Sequence, residues 1–129
     1  MATRNYIGII STVNCSATVS KMIAEKIKYS SILKDYPNID GIVPITHSTC
    51  CCMNMESDGM QIFQRTIDGI KNHHNFSHVI IIGLVCECAQ VSLFFDSMTK
   101  HNRIHFLTIR DDVGTKKIVD HMFVQIQIL

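Results

Sequence analysis

The sequence predicts an α/β fold, a three-layer Rossmann-like arrangement in which helices flank a parallel sheet of four to five strands. Short apolar runs alternate with longer amphipathic segments along the chain, and these segments are long enough for right-handed βαβ crossovers. Side chains capable of chemistry follow the apolar runs, as expected where parallel strands end at a ligand-binding edge. We expect one α/β domain over residues 1–129.

The predicted strands are short and rich in Ile and Val, which favour extended structure. They cover residues 7–11, 41–45, 79–83 and 104–109. The first helix is predicted over residues 17–28, because Val19, Ile23 and Ile27 share one face and Ser16 is a suitable N-cap.

The remaining elements follow from breaks and periodicity. Asp35-Tyr36-Pro37-Asn38 interrupts the chain before the second strand. Ser57-Asp58-Gly59 opens a helix over residues 60–71, which residues 72–75 close, and its predicted buried residues are Ile62, Phe63, Ile67 and Ile70. Two further helices are predicted over residues 90–100 and 116–127.

The composition is that of an ordinary globular domain, with 47% hydrophobic and 18% charged residues. The net charge of +1 gives no nucleic-acid signal, and no apolar run reaches the length of a membrane helix. The first residues lack the pattern of a signal peptide. We therefore expect a cytoplasmic chain with reduced cysteines, which in that compartment more often bind metal or do chemistry than form disulfides.

All six cysteines lie just after predicted strands: Cys15, Cys50, Cys51, Cys52, Cys86 and Cys88. One or two of the three adjacent thiols could bind a metal together with His47 and with Cys86 or Cys88. Zinc or iron would accept such a mixed sulfur and nitrogen set. The spacing matches no zinc-ribbon pattern, so the alternative is that these cysteines fill gaps as small hydrophobic residues.

His47 and Glu87 are the strongest candidates for proton transfer. His47 follows a strand and precedes a hydroxyl-rich turn, so it suits a general base or a ligand, with a structural histidine as the alternative. Glu87 suits an acid, a base or a ligand, or else a carboxylate that favours the start of the next helix. The other histidines (His73, His74, His78, His101, His105 and His121) are interpreted as surface residues.

The turn after the first strand reads Ser11-Thr12-Val13-Asn14-Cys15-Ser16 and lacks the glycines of a dinucleotide fingerprint. This argues against NAD or FAD. Asn14, Ser16 and Thr18 at a helix start could still hold a carboxylate or phosphate with backbone amides.

Short motifs spread along nearly the whole chain carry a family resemblance. They are Thr3-Arg4-Asn5-Tyr6, Thr12-Val13-Asn14-Cys15-Ser16, Pro37-Asn38-Ile39-Asp40-Gly41, Thr46-His47-Ser48-Thr49, Cys51, Gln64-Arg65-Thr66, His74-Asn75-Phe76, Gly83-Leu84, Cys86-Glu87, Leu107-Thr108-Ile109 and Gly114-Thr115. In this order and spacing the chain resembles the second, central domain of the altronate/galactarate dehydratase family. A typical member of that family, or its operon partner, also carries a small N-terminal β-rich domain and a further C-terminal region.

The resemblance implies metal-dependent loss of water from a sugar acid, a hexonate or hexarate such as altronate or galactarate, giving a 2-keto-3-deoxy acid. The implied cofactor is a divalent metal, iron (Fe²⁺) first, with manganese or zinc as alternatives. By carry-over the metal ligands are His47, Cys51 and Cys86, and the catalytic residues are His47 and Glu87. Arg4, Asn5 and Asn14 are suited to binding the substrate's carboxylate or hydroxyls.

The same resemblance implies partners. The expected partners are a small-molecule sugar acid and either the other dehydratase domains or a partner subunit. Neither nucleic acid nor a membrane is expected. A homo-oligomer is compatible with the resemblance. An alternative is a non-catalytic, divergent or truncated module that needs a partner chain. It is motivated by positions where the family pattern has glycine and this chain has Cys50, Cys52, Val85 and Val113, and by Ala89, where asparagine is usual.

Overall fold

A computed structural model describes residues 2–48, 56–84, 103–109, 116–117 and 119–120. Among these residues, four strands form one sheet in the order β2-β1-β3-β4, and every neighbouring pair is parallel. The strands are β1 (Tyr6–Ser11), β2 (Gly41–Ile45), β3 (Phe76–Leu84) and β4 (Ile104–Ile109). The predicted α/β class with a parallel sheet is therefore confirmed.

In the described part of the chain, two α-helices and one short 3₁₀ helix connect the first three strands. Helix α1 (Asn14–Tyr29) follows β1, the 3₁₀ helix Ser31–Asp35 leads towards β2, and helix α2 (Asp58–Lys71) links β2 to β3. Among the helices that the structure describes, none is long and apolar enough to cross a membrane.

The core lies on both faces of β1 and β3, which explains their nearly continuous apolar sequences. On one face, Ile9, Ile80 and Ile82 pack with Ile23 and Ile27 of α1. On the other face, Ile10, Val79 and Ile81 pack with Ile67 of α2. The two helices thus cover opposite faces and complete the three layers.

The start of α1 differs from the prediction. The helix begins at Asn14, three residues before the expected start, and its N-cap is Val13, which has extended backbone and no side-chain cap. Ser16 is therefore not the N-cap. Its hydroxyl lies inside the first turn and contacts the carbonyls of Val13 and Ile82 instead.

Helix α2 begins two residues earlier than predicted, and Ser57 caps it by accepting a hydrogen bond from the Met60 amide. The predicted burial of Ile67 is confirmed, and Phe63 and Ile70 are half-buried. Ile62 is 61% exposed, contrary to the prediction. The covered stripe of α2 follows Met60, Phe63, Ile67 and Ile70, and Ile62 lies beside that stripe rather than on it.

The later helices are described only in part. The prediction over residues 90–100 lies outside the described residues. Within residues 116–127, positions 116–117 and 119–120 are helical. Val119 packs in the α1 core cluster, and Asp120 forms an ion pair with Lys26 of α1, so this segment lies on the α1 face.

The strand order sets where a ligand would bind. The chain moves from β1 outward to β2, then returns to the other side of β1 to form β3. Such a reversal is a topological switch point, and open parallel sheets bind ligands outside the strand carboxyl ends at that point.

Candidate active site

Residues 12–16 after β1 and residues 46–48 after β2 lie together where the parallel strands end, and we call them the carboxyl edge. His47, Asn14 and Cys15 all belong to this edge, as the sequence predicted. Asn14 and Cys15 are exposed on the first turn of α1, and His47 is half-buried.

The His47 ring is held on two sides. Its Nε2 atom lies 3.0 Å from the carbonyl oxygen of Thr12, which joins the ends of β2 and β1. The ring also meets Phe63 of α2 edge to face, with ring centres 4.8 Å apart. The histidine is therefore oriented by a hydrogen bond and an aromatic contact from different elements.

A dense hydrogen-bond cluster anchors the turn between β1 and α1 to β3. The carbonyl oxygen of Ile82 is approached by the Thr12 amide at 3.0 Å, the Thr12 hydroxyl at 3.3 Å and the Ser16 hydroxyl at 3.1 Å. Thr12 and Ser16 are buried. We call Thr12, Ser16 and the Ile82 carbonyl the turn anchor. Residues bonded this closely in a dry environment have little freedom to shift.

The amino end of α1 is electrostatically suited to an anion. No acidic residue stands in its first turn, and the N-cap supplies no side-chain hydrogen bond. The Ser16 amide of this turn donates to the Val13 carbonyl at 3.1 Å. The first amides of a helix generally have no acceptor within the helix, and they carry the positive end of the helix dipole. Asn14 is therefore placed where a carboxylate would be favoured.

A pocket of about 370 Å³ lies between the end of β2 and α2. His47, Thr46 and Thr66 contribute polar atoms to it, and the rest of its wall is mostly apolar, formed by Ile10, Ile45, Gly59, Ile62, Phe63, Ile67 and Ile70. His47 thus stands at the boundary between an apolar pocket and the polar carboxyl edge.

Arg4 and Asn5 do not join this site. They precede β1 and so lie at the opposite end of the sheet, roughly 25 Å from Thr12 at the rise of an extended strand. The prediction placed them with Asn14 around one substrate, and the structure does not bring the three residues together.

Asn5 instead ties loops together at what we call the amino edge, residues 3–5, 38–40 and 75. Its side-chain amide donates to the Asn38 carbonyl at 2.6 Å, and its backbone amide donates to the Asp40 carboxylate at 2.6 Å. The Thr3 amide donates to the Asn75 side chain at 3.0 Å. The described contacts of Asn5 are structural.

The other predicted site residues, Cys51, Cys86 and Glu87, lie outside the described residues. Within the part of the chain that the structure describes, no group of three or more His, Cys, Asp or Glu side chains is close enough to hold a metal.

His78 and His105 were predicted as surface residues, and the structure corrects this prediction. They lie on β3 and β4, are half-buried, and stack with ring centres 5.5 Å apart. The Nε2 atom of His105 is buried without a hydrogen-bond partner among the described residues. Burial, and to a smaller extent the neighbouring His78, lowers the pKa of His105. His73 and His74 are exposed, as predicted.

Three contributors to the site were missed at the level of sequence: Thr12, Ser16 in its anchoring role, and Phe63 as a wall of His47. Hydroxyl residues directly after a central strand could have indicated the anchor, because a turn at a switch point needs its polar groups satisfied. The contact of Phe63 with His47 joins residues 16 positions apart on different elements, and no local pattern predicts it.

Comparison with protein families matches residues 1–129 to the model described as D-galactarate dehydratase/Altronate hydrolase, second domain. The chain belongs to this family. The match confirms the resemblance and its restriction to the second domain, and it supports a sugar-acid dehydratase domain at family level. Comparisons with curated proteins and with solved structures give no significant match.

Proposed function

We propose that this domain takes part in the metal-dependent dehydration of a sugar acid, a hexonate or hexarate such as altronate or galactarate, to a 2-keto-3-deoxy acid in the cytoplasm. The observation that supports this most is the position of His47. In a chain of this family, it lies at the carboxyl edge beside the amino end of α1, whose N-cap residue Val13 makes no side-chain cap.

The reaction needs one group to remove a proton and another to assist a leaving hydroxyl. The proton comes from the carbon next to the carboxylate, and the neighbouring carbon loses its hydroxyl, which leaves as water after gaining a proton. The resulting enol becomes the 2-keto product. We assign proton transfer to Glu87, or to His47 if His47 is not a metal ligand, and of these two residues His47 lies in the described structure.

The substrate carboxylate would lie at the amino end of α1. Backbone amides of that turn favour negative charge, and the exposed side chain of Asn14 adds a donor. A carboxylate there and a reacting carbon near His47 would share the same edge of the sheet.

The proposed metal is a divalent ion, Fe²⁺ first, with manganese or zinc as alternatives, and its proposed ligands are His47, Cys51 and Cys86. The His47 geometry fits this role, because metal-binding histidines usually direct their other ring nitrogen to a carbonyl or carboxylate, as His47 does towards Thr12. A bound metal would act as a Lewis acid on substrate oxygen.

A second candidate is a module that is inactive alone and needs a partner chain or further domain. The position of Arg4 favours it, because the cation expected to hold a carboxylate lies at the opposite end of the sheet from His47. In this reading a partner supplies the missing cation and completes the site.

Turnover separates the two candidates. The chain would be supplied with Fe²⁺ under anaerobic conditions and assayed for 2-keto acid formation over a panel of aldonates and aldarates. We expect turnover of at least one sugar acid and loss of that turnover with a metal chelator. Absence of product across the panel would contradict catalysis by the chain alone and favour the partner-dependent module.

A further inference from the structure

We propose that Thr12 and Ser16 are positioning residues that fix the hydrogen of His47 on Nε2, so that Nδ1 is the nitrogen that accepts a proton or binds a metal. The inference rests on the proposed function for its use of His47, but its geometry is independent of that function. Two buried hydroxyl residues thereby position the ring, and Nδ1 of His47 is the ring nitrogen available to the reaction.

The Thr12 carbonyl determines which ring nitrogen of His47 carries the hydrogen. A backbone carbonyl can only accept a hydrogen bond, and the Thr12 carbonyl lies 3.0 Å from Nε2 of His47. Nε2 must therefore carry the hydrogen. In the neutral ring the lone pair is then on Nδ1.

The hydrogen bond to Thr12 also opposes rotation of the His47 ring by half a turn. Rotating the imidazole by half a turn would place a ring carbon where Nε2 now meets the carbonyl, and the hydrogen bond would be lost. Phe63 packs edge to face against the same ring with centres 4.8 Å apart, and this contact holds the ring plane, which a half-turn leaves unchanged. The hydrogen bond to Thr12 therefore selects between the two orientations.

The turn anchor holds the Thr12 carbonyl in place. The amide and hydroxyl of Thr12 both reach the Ile82 carbonyl on β3, and the Ser16 hydroxyl reaches the same oxygen. Ser16 also lies 2.9 Å from the carbonyl of Val13, the residue after Thr12. The turn is thus fixed on both sides of the carbonyl that orients His47.

The burial of these hydroxyls makes the turn anchor sensitive to substitution. Ser16 is fully buried and Thr12 is 2% exposed, so water cannot replace a lost hydroxyl without rearrangement. Removing both hydroxyls would take away two of the three donors that approach the Ile82 carbonyl and leave the Thr12 amide in place. The carbonyl would then be less firmly directed at His47.

The test is nuclear magnetic resonance of the imidazole nitrogens in the full chain, without metal or substrate, at a pH where the ring is neutral. The His47 signals are assigned by their loss in His47→Gln. We expect a single form with hydrogen on Nε2, whereas the exposed His74 shows the average of exchanging forms. Hydrogen on Nδ1 of His47 would overturn the proposal.

Variants test the positioning role. In the double variant Thr12→Val with Ser16→Ala, we expect the share of the Nδ1-protonated form to rise about fivefold, the population change that one hydrogen bond typically produces. Thr12→Ser should keep the original form. Ser20→Ala is the matched control, because it removes another buried hydroxyl of α1, one that donates to the backbone carbonyl of Ser16 and not to the Ile82 carbonyl.

The outcomes are separable from the proposed function. An unchanged ratio of forms in a folded double variant would overturn the positioning role. If the double variant does not fold, Ser16→Ala alone is measured and should shift the ratio in the same direction. A chain with Nε2–H on His47 but neither turnover nor bound metal would contradict the proposed function and leave this inference standing.

Discussion

At the amino edge of the sheet, polar side chains bind the backbone of neighbouring loops, whereas at the carboxyl edge α1 begins without a side-chain cap and His47 borders a pocket. Both edges carry motifs through which the chain resembles its family. The difference shows that a shared motif can serve either structure or chemistry. The direction of the strands decides which edge a motif reaches.

The largest expected effect separates the two edges by activity. In the assembly that turns over sugar acid, His47→Ala should lower kcat/KM by roughly 10²–10⁴-fold, because it removes a group that transfers a proton or binds metal. Asn5→Ala is the matched variant at the amino edge and should keep activity within a few-fold of the original. Equal losses in the two variants would contradict the division between the edges.

A smaller effect separates the edges by stability. Asn5→Ala should lower the free energy of unfolding by about 1 kcal/mol, because it removes the 2.6 Å bond to the Asn38 carbonyl. Arg4→Ala, next to it and exposed, should change stability by less than about 0.5 kcal/mol. Urea denaturation measures both free energies. A larger loss of stability for Arg4→Ala than for Asn5→Ala would show that the amino edge is held by the arginine and not by the hydrogen bonds of Asn5.

The smallest effect is a pH dependence that comes from neither edge's motifs. Because burial lowers the pKa of His105 in the folded chain, the unfolded chain takes up that proton first as the pH falls. The stability that comes from burying His105 in its neutral form is fully present above about pH 6.5, the ordinary pKa of histidine. It is lost as the pH falls from there towards the lowered pKa of His105.

Urea denaturation at pH 5.5 and pH 7.5 tests this sign. His105→Phe should reduce the difference in stability between the two pH values, and His78→Phe should reduce it in part, because it removes the neighbouring positive charge. His74→Gln is an exposed control and should leave the difference unchanged. An identical difference in the chain and in His105→Phe would show that His105 does not contribute.

The strands were predictable because buried parallel strands leave a strong signal. Residues 41–45 and 104–109 were predicted at the observed bounds, and the first strand was predicted one residue short. β3 begins at Phe76, three residues before the predicted start, because Phe76, Ser77 and His78 are less apolar as a group than the run that follows. That extension places His78 inside the sheet, where it meets His105.

The site was predictable in outline and not in detail. His47 and Asn14 follow strands, so their common edge follows from parallel topology alone. Arg4 and Asn5 stand before a strand, and the same rule places them at the other edge. It separates them from Asn14, with which they were grouped by side-chain chemistry alone. The bond from His47 to Thr12 spans 35 residues and depends on strand register, which composition does not specify. The assignments of Cys51, Cys86 and Glu87 remain predictions.

The metal content of the chain after anaerobic purification decides whether the carboxyl edge is a metal-dependent active site. We predict that the chain retains a divalent metal, that His47→Ala and Cys51→Ala lose it, and that His74→Ala, at an exposed histidine away from the carboxyl edge, retains it. A chain that holds no more metal than its His47→Ala and Cys51→Ala variants would contradict the assignment of the carboxyl edge as a metal-dependent active site.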